Sequence, residues 1–473
     1  MGSTAHRVRA VLAIPAFRRL WGVTAFTATG DWLSLLALSA LATQLTTSYQ
    51  AQSFALGAVV ATKLAPAILL GPLAGALADK LDRRYVMVTC DVLRAGLFLS
   101  IPLVGELAWL FVATFLIEVC ALFWIPAKDA SVPNLLRRPE QVETANQLAL
   151  VMTYGVAVLV ASGLFTTLSK IGPLLGLAGQ GAELPAYLAL TVTGVAYAGC
   201  ALVVGLRIPE ISGRATSRRA AAPGLLAMLR DGVVFVQSTP LVRGLVTGIV
   251  GAFAAGGTVI ACAMLYATSL GGGNAAYGLL FASMFIGMGL GMALAPAAAR
   301  RIRHGRLFGR AIVAAGLALV VVALAPHLFV ALAAVVLVGT GAGVALLTGL
   351  TIIGTQVADE VRGRTIAFVQ SLVRIDLLAS MALVPLLVGL VQQRTVTLFG
   401  EQLTVDGTRP VLFGAGLLAA AVGVLAHRQM DDLRDGPVLD ELRAAVRWRP
   451  RSGGGLLDRR RPGPDRMASR GQQ

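Results

Sequence analysis

Long apolar runs alternate with short polar ones along most of the chain. A helix needs about 20 predominantly apolar residues to cross a hydrocarbon core about 30 Å thick. Runs of that length occur near 20–45, 54–78, 86–104, 107–127, 146–169 and 185–206. A polar stretch follows at 207–239, and further runs come near 240–268, 274–299, 309–325, 328–355, 366–391 and 409–427. The pattern predicts an all-α membrane protein, with twelve transmembrane helices in two six-helix bundles. The expected divisions are an N-terminal bundle over 1–207, a cytoplasmic central loop over 208–239, a C-terminal bundle over 240–428 and a tail over 429–473. The tail is basic and rich in Arg, Gly and Pro, a composition that buries no core and predicts disorder.

The basic residues test this count. With the amino terminus in the cytoplasm, the inner segments hold Arg7, Arg9, Arg18 and Arg19, then Lys80, Arg83 and Arg84, then Lys128, Arg137 and Arg138. Arg207, Arg214, Arg218, Arg219 and Arg230 follow, then Arg300, Arg301, Arg303, Arg306 and Arg310, and finally Arg362 and Arg364. Only Lys170, Arg394 and Arg409 fall outside, an asymmetry of 22 against 3 that one missed helix would scramble. Both termini are expected in the cytoplasm.

Composition agrees. The 473 residues are 56% hydrophobic and only 14% charged, with a mean hydropathy of +0.76. Soluble domains carry roughly 25% charged residues, so the solvent around this chain is lipid. The net charge of +16 does not imply a nucleic-acid partner, because the basic residues cluster between apolar runs instead of forming one patch. Cys90, Cys120, Cys200 and Cys262 lie in apolar runs without metal-ligand spacing, which predicts buried free thiols. None of the four lysines follows a glycine, so no phosphate-binding loop is present to support self-contained ATP-driven transport. No cofactor is expected. No nucleophile–base set argues for an enzyme. The amino terminus is basic and leads straight into a full-length span, so it is expected to escape signal cleavage.

Two loops suggest an internal duplication. Gly71-Pro72-Leu73-Ala74-Gly75-Ala76-Leu77-Ala78-Asp79 leads into a basic cluster, and so does Gly291-Met292-Ala293-Leu294-Ala295-Pro296. Halves repeated in this way place a substrate site between them near the midplane.

The segment Gly75-Ala76-Leu77-Ala78-Asp79-Lys80-Leu81-Asp82-Arg83-Arg84 resembles the loop between helices 2 and 3 of the major facilitator superfamily, usually G-x-L-A-D-R-x-G-R-R. The resemblance implies the major facilitator fold. It also implies a latch on the outward-facing state, in which Gly75 permits close packing while Asp79 pairs with Arg83 beside Arg84. Asp82 stands where glycine is usual, a departure expected to alter the turn. Phe17-Arg18-Arg19-Leu20-Trp21, Gly30-Asp31-Trp32, Pro126-Ala127-Lys128-Asp129-Ala130, Val132-Pro133-Asn134-Leu135-Leu136 and Arg362-Gly363-Arg364 resemble the macrolide-efflux-like branch of drug:proton antiporters. That resemblance, covering about residues 15–427, implies a monomeric secondary transporter in the bacterial plasma membrane. It would export an amphipathic drug or secondary metabolite by alternating access, coupled to protons. The Gly-Pro pair common in helix 5 of such antiporters is missing between Gly155 and Gly163, which weakens the case for protons. The chain also resembles the amino-terminal half of actinobacterial transporter–thymidylate kinase fusions, although no kinase follows. This leaves an alternative: a membrane anchor or regulatory remnant without transport of its own.

Charged residues inside spans favour transport, because each costs roughly 2.5–3.5 kcal/mol at a helix centre. Asp31, Lys63 and Glu118 lie deep in the first half and are candidate proton or substrate sites. A structural Asp31–Lys63 pair weighs equally for Asp31, whereas Glu118 has no partner visible in the sequence. Asp91 and Arg94 are spaced to pair on one helix face. Arg374 and Asp376 are read near the inner end of helix 11, where they would engage the Asp79–Arg83 latch. Snorkelling of Arg374 to the interface is the alternative.

Overall fold

Proline and aspartate start several of the helices, and a left-handed glycine ends one. After a short α1 (Thr4–Leu12), Pro15 opens α2 (Pro15–Gln44), where its missing N–H costs no hydrogen bond. Then come α3 (Tyr49–Ala78), α4 (Arg83–Val104), α5 (Leu107–Leu135) and α6 (Pro139–Val151). A π turn (Met152–Val156) carries α6 into α7 (Ala157–Leu174), and α8 (Leu184–Arg207) follows. The second half holds α9 (Pro240–Ser269), α10 (Gly273–Ala299), α11 (His304–Leu324), α12 (Leu328–Gln356), α13 (Asp359–Leu390) and α14 (Thr408–Asp431). This computed structural model describes residues 4–78, 81–136, 138–174, 183–212, 240–356, 359–391, 394–398 and 401–431. Residues 1–434 form one compact unit, and 435–473 form a second that lies outside the described residues with most of the predicted tail.

Ten of the described helical segments are long and apolar enough to cross a membrane: α2, α4, α5, the α6–α7 segment, α8 to α12 and α14. The helices α3 and α13 are 30 and 32 residues long. Large apolar side chains point outward, with Leu103 85% and Phe329 83% exposed. Such exposure is untenable in water and ordinary in lipid.

The packing repeats. In the first half α2 packs on α7 and α8, α4 on α5 and α8, and α3 on α5. In the second, α9 packs on α13 and α14, α11 on α12 and α14, and α10 on α12. Each pair has its counterpart six long helices later, as duplication requires. The halves meet through α3 against α13 and α7 against α10.

One element was not foreseen. Between α13 and α14, where the sequence reading has only a loop, β1 (Arg394–Leu398) and β2 (Glu401–Val405) pair antiparallel, with Arg394 opposite Val405 and Leu398 opposite Glu401. The alternation in Arg-Thr-Val-Thr-Leu suits a strand, but the run is too short to stand out among the apolar spans. The hairpin marks one end of the bundle, and the arginine-rich loops mark the other.

Asp82 does not distort its turn. It sits in extended backbone at φ −69°, which any residue adopts, and its carboxylate accepts the N–H groups of Arg84 at 2.9 Å and Tyr85 at 3.4 Å. The aspartate in the glycine position is thus the N-cap of α4, and it also accepts the Ser212 hydroxyl at 2.7 Å. Asp82→Ala is expected to cost about 1 kcal/mol, whereas Asp82→Gly costs only a few tenths for the cap. Thermal unfolding of the purified protein, followed by helical circular dichroism, checks that order.

Candidate functional site

Near the middle of α2, Gly30 has no side chain to hold α8 away. A Cβ there would stand 3.1 Å from the Tyr197 ring and 3.2 Å from Thr193. The close approach brings the Tyr197 hydroxyl to 2.6 Å from Asp31 Oδ1, which it donates to, and 3.2 Å from the Thr27 carbonyl. Arg94, at mid-length in α4, donates Nη2 to the same Asp31 oxygen at 2.5 Å. Its guanidinium lies 4.2 Å from the centre of the Tyr197 ring, which stacks on Phe98 at 5.5 Å. Arg94 is almost fully buried, whereas the Asp31 side chain is 47% exposed. The network therefore fixes a buried cation and leaves its anion partly accessible.

A second ion pair joins Lys63 on α3 to Glu118 on α5, both largely buried. Two expectations are corrected here. Lys63 neutralises Glu118 and not Asp31, so Glu118 does have a partner. Arg94 does not pair with Asp91, because its hydrogen bond goes across to α2. Asp91 is wholly buried, and neither of its carboxylate oxygens has a hydrogen-bond partner. Sequence spacing pairs neighbours along one helix; it cannot show that a stronger partner waits on another.

Trp32, next in sequence to Asp31, reaches the other half. Its indole N–H donates to the Thr153 carbonyl in the π turn at 2.8 Å, and its ring meets Phe285 of α10 edge-on at 5.3 Å. Behind Phe285 a cavity of about 110 Å³ is lined by Val259, Ile260, Leu280, Phe281 and Met284, among others. Its wall is apolar almost throughout.

Buried contacts differ between the two ends. At the hairpin end one apolar core runs through both halves, from Leu33, Val59 and Phe165 to Tyr266, Phe281 and Val388. Gln44 lies 3.4 Å from Asn274 across the halves, and Thr166 donates to the Ala275 carbonyl at 3.4 Å. At the arginine-rich end the described buried residues fall into separate clusters. One comprises Leu20, Met87, Trp124 and Val204 in the first half, and another Leu245, Phe308, Ile352 and Ala426 in the second.

Of the predicted gating residues, Asp79 lies outside the described residues, as do the surroundings of Gly75 and of the Arg374 side chain. Arg84 donates to the Gly205 carbonyl and so ties α4 to the end of α8. Arg83 is half-buried in the first turn of α4. The helix α13 begins at Asp359, which puts Arg374 and Asp376 near its middle and not at its inner end. Asp376 is part-buried, with one carboxylate oxygen enclosed and without a hydrogen bond. Among the described residues no group of three or more His, Cys, Asp or Glu side chains could hold a metal.

Sequence reasoning missed Tyr197 and Phe285, which carry no signal within an apolar run, and it misassigned Arg94. Trp32 lay inside a noted motif without a role.

The family described as transmembrane secretion effector, within the major facilitator superfamily, matches residues 8–431. The chain is 32% identical over 133 residues to the uncharacterized MFS-type transporter YfiS of Bacillus subtilis, covering 26% of this chain and 30% of that protein. It is 31% identical over 147 residues to an uncharacterized MFS-type transporter of Mycobacterium tuberculosis, covering 30% of this chain and 33% of the relative. The chain thus spans about a third of the length of these curated relatives. Among solved structures, a bacterial homolog of the human lysosomal transporter Spinster, inward-facing and unoccupied, aligns with a TM-score of 0.65 at 16% identity, covering 89% of this chain and 99% of that one. The nucleoside transporter NupG aligns at 0.63 and 13% identity, covering 88% and 100%. At such identities the likeness concerns the fold alone. Family match, repeated packing and apolar exterior agree: with ten described segments long and apolar enough to span a membrane, the chain belongs to the transmembrane secretion effector family of the major facilitator superfamily.

Proposed function

We propose that the protein exports an amphipathic small molecule, a drug or secondary metabolite, across the bacterial plasma membrane by proton-coupled alternating access. The observation that carries this reading is the contrast between the two halves at mid-helix. The first half offers Asp31, Lys63 and Glu118, and the second offers the apolar wall around Phe281, Met284 and Phe285. A molecule with a cationic or polar head and an apolar body satisfies both. Asp31 would contact the head directly through its exposed side, and the Lys63–Glu118 pair would supply donors and acceptors nearby.

In this reading α3 and α13 cross the bilayer with the ten other segments, making twelve spans with both termini cytoplasmic. The bundles over 1–207 and 240–428 rock as units, and the central loop over 208–239 links them. The tail over 429–473 stays in the cytoplasm, and the working unit is a monomer. With the arginine-rich loops inside, the continuous core at the hairpin end would close the outer face, and the separate clusters among the described residues at the other end support an inward-open reading. Gly75, Asp79, Arg83 and Arg84 would latch the inner ends in the opposite state. Arg374 and Asp376, at mid-helix, fit a role at the central site better than in that latch.

Purified protein in liposomes, screened with cationic and neutral drugs, tests the proposal through substrate-driven proton movement. Asp31→Asn and Glu118→Gln each remove hydrogen bonds to a charged group, worth about 1.5–3 kcal/mol. Each is therefore expected to lower transport by about tenfold or more. Wild-type flux without proton movement would remove the coupling, and undiminished flux in both variants would remove the site.

A further inference from the structure

We propose that Asp91 is the proton carrier of this transporter, and that Arg94 switches between Asp31 and Asp91 to couple the proton to a cationic substrate. This rests on the proton-coupled reading above and names the residue that reading leaves open.

Charge balance among the described ionisable groups at mid-helix in the first half points to Asp91. Lys63 and Glu118 cancel, and so do Arg94 and Asp31. The carboxyl of Asp91 is left over, with no exposure and no hydrogen bond to either oxygen. An ionised carboxylate in such a place is neither solvated nor paired, so the group is at rest as the neutral acid.

The charged groups facing it are few. Arg94 stands one turn along α4, and Asp31 lies beyond it on α2. The remaining ionisable neighbours are weak acids: Cys90 on α4, Cys120 on α5, and Tyr197 and Cys200 on α8. The indole of Trp124 on α5 is beside it, without a hydrogen bond of ordinary geometry. Arg94 is thus the nearest cation able to stabilise an ionised Asp91, and it is occupied by Asp31.

That occupation is conditional. Asp31 is the accessible member of its pair, so a substrate cation arriving on it competes with a guanidinium that stays charged throughout. Residues three apart on a helix share a face, and the released guanidinium reaches Asp91 by turning its own side chain. The O–H bond of Asp91 then breaks, the proton passes to water, and the new carboxylate pairs with Arg94. When the cation departs, Arg94 returns to Asp31 and Asp91 takes up a proton. One positive charge enters as one leaves, which is the balance of an antiporter.

Infrared difference spectroscopy of the purified full-length protein, titrated with protons alone, reads this without a known substrate. The wild type is expected to show a protonated-carboxyl band that persists at neutral pH. Asp91→Asn should lose the band while keeping the thermal midpoint, because asparagine imitates the neutral acid. Asp31→Asn frees Arg94 for Asp91, so the band should disappear at neutral pH and return only on acidification. Asp91→Glu should restore a band at a shifted position. A band that survives in Asp91→Asn, the same titration in Asp31→Asn, or an Asp91→Asn variant that fails to fold would each overturn the proposal. Proton-coupled flux in liposomes that persists in Asp91→Asn would overturn it while leaving antiport standing. Wild-type flux without protons would instead remove the coupling itself.

Discussion

Gly291→Leu or Gly343→Leu is expected to unfold the second half of this protein, whereas Gly289→Leu on the same helix leaves it intact. Gly287 and Gly291 on α10 face Gly339 and Gly343 on α12, a small-xxx-small pair on each side. Such spacing lets backbones approach closely in lipid, where no hydrophobic force drives helices together. The approach here is complete. A Cβ at Gly287 or Gly291 would run into the backbone carbonyl of Val336 or Thr340, and one at Gly339 or Gly343 into that of Met284 or Met288. A flexible side chain could yield, but a helix backbone yields only by moving the whole helix away. Overpacking of an ordinary core costs about 1–3 kcal/mol, and a leucine against backbone belongs at or above the top of that range. Total stability is only about 5–15 kcal/mol. Gly289 faces open space, with nothing within 4 Å of a Cβ, so its replacement should stay within about 0.5 kcal/mol. Thermal unfolding and the monodisperse fraction on size exclusion measure both. Equal behaviour of the Gly289 and Gly291 variants would mean that α10 and α12 do not pack on this face.

Arg94→Met is expected to lower stability by about 3 kcal/mol. Breaking a buried ion pair from one side typically costs about 3–5 kcal/mol, because a charge is left uncompensated. The lower end applies, since Asp31 is half-exposed and keeps part of its hydration when orphaned. The guanidinium also covers the Tyr197 ring, which a lysine would not match in shape or in donors. Arg94→Lys should therefore fall near Arg94→Met and not near wild type. The double variant Asp31→Leu with Arg94→Met removes both charges and should recover most of the loss. Denaturation of the four proteins as a cycle gives the coupling. A value near zero would show that the pair does not hold α2 against α4.

The predicted runs match helices in the structure to within a few residues at most boundaries, and the repeated pairing of helices agrees with the duplication read from two loops. The helices follow from local physics: a backbone in lipid must satisfy itself as helix. The site was less legible. Asp31, Lys63 and Glu118 stood out because charge is costly in an apolar run, yet their pairing was misread. An unpaired charge in sequence has several candidate partners within reach, and the helix crossing selects one. Gly30 shows how: the absence of its side chain seats Tyr197 against Asp31, and Arg94 completes the seat. The glycines of α10 and α12 were visible as residues, but not as a contact.

The sequence alone determined that this chain lives in lipid, how its apolar runs divide into two sets, and which charges lie at depth, because hydropathy and insertion cost act residue by residue. Only the tertiary structure decided that Lys63 belongs to Glu118, that Arg94 serves Asp31 and strands Asp91, and that among the described residues the core is continuous at one end and falls into separate clusters at the other. Those outcomes depend on distances between segments far apart in the chain, set by where small residues let helices touch.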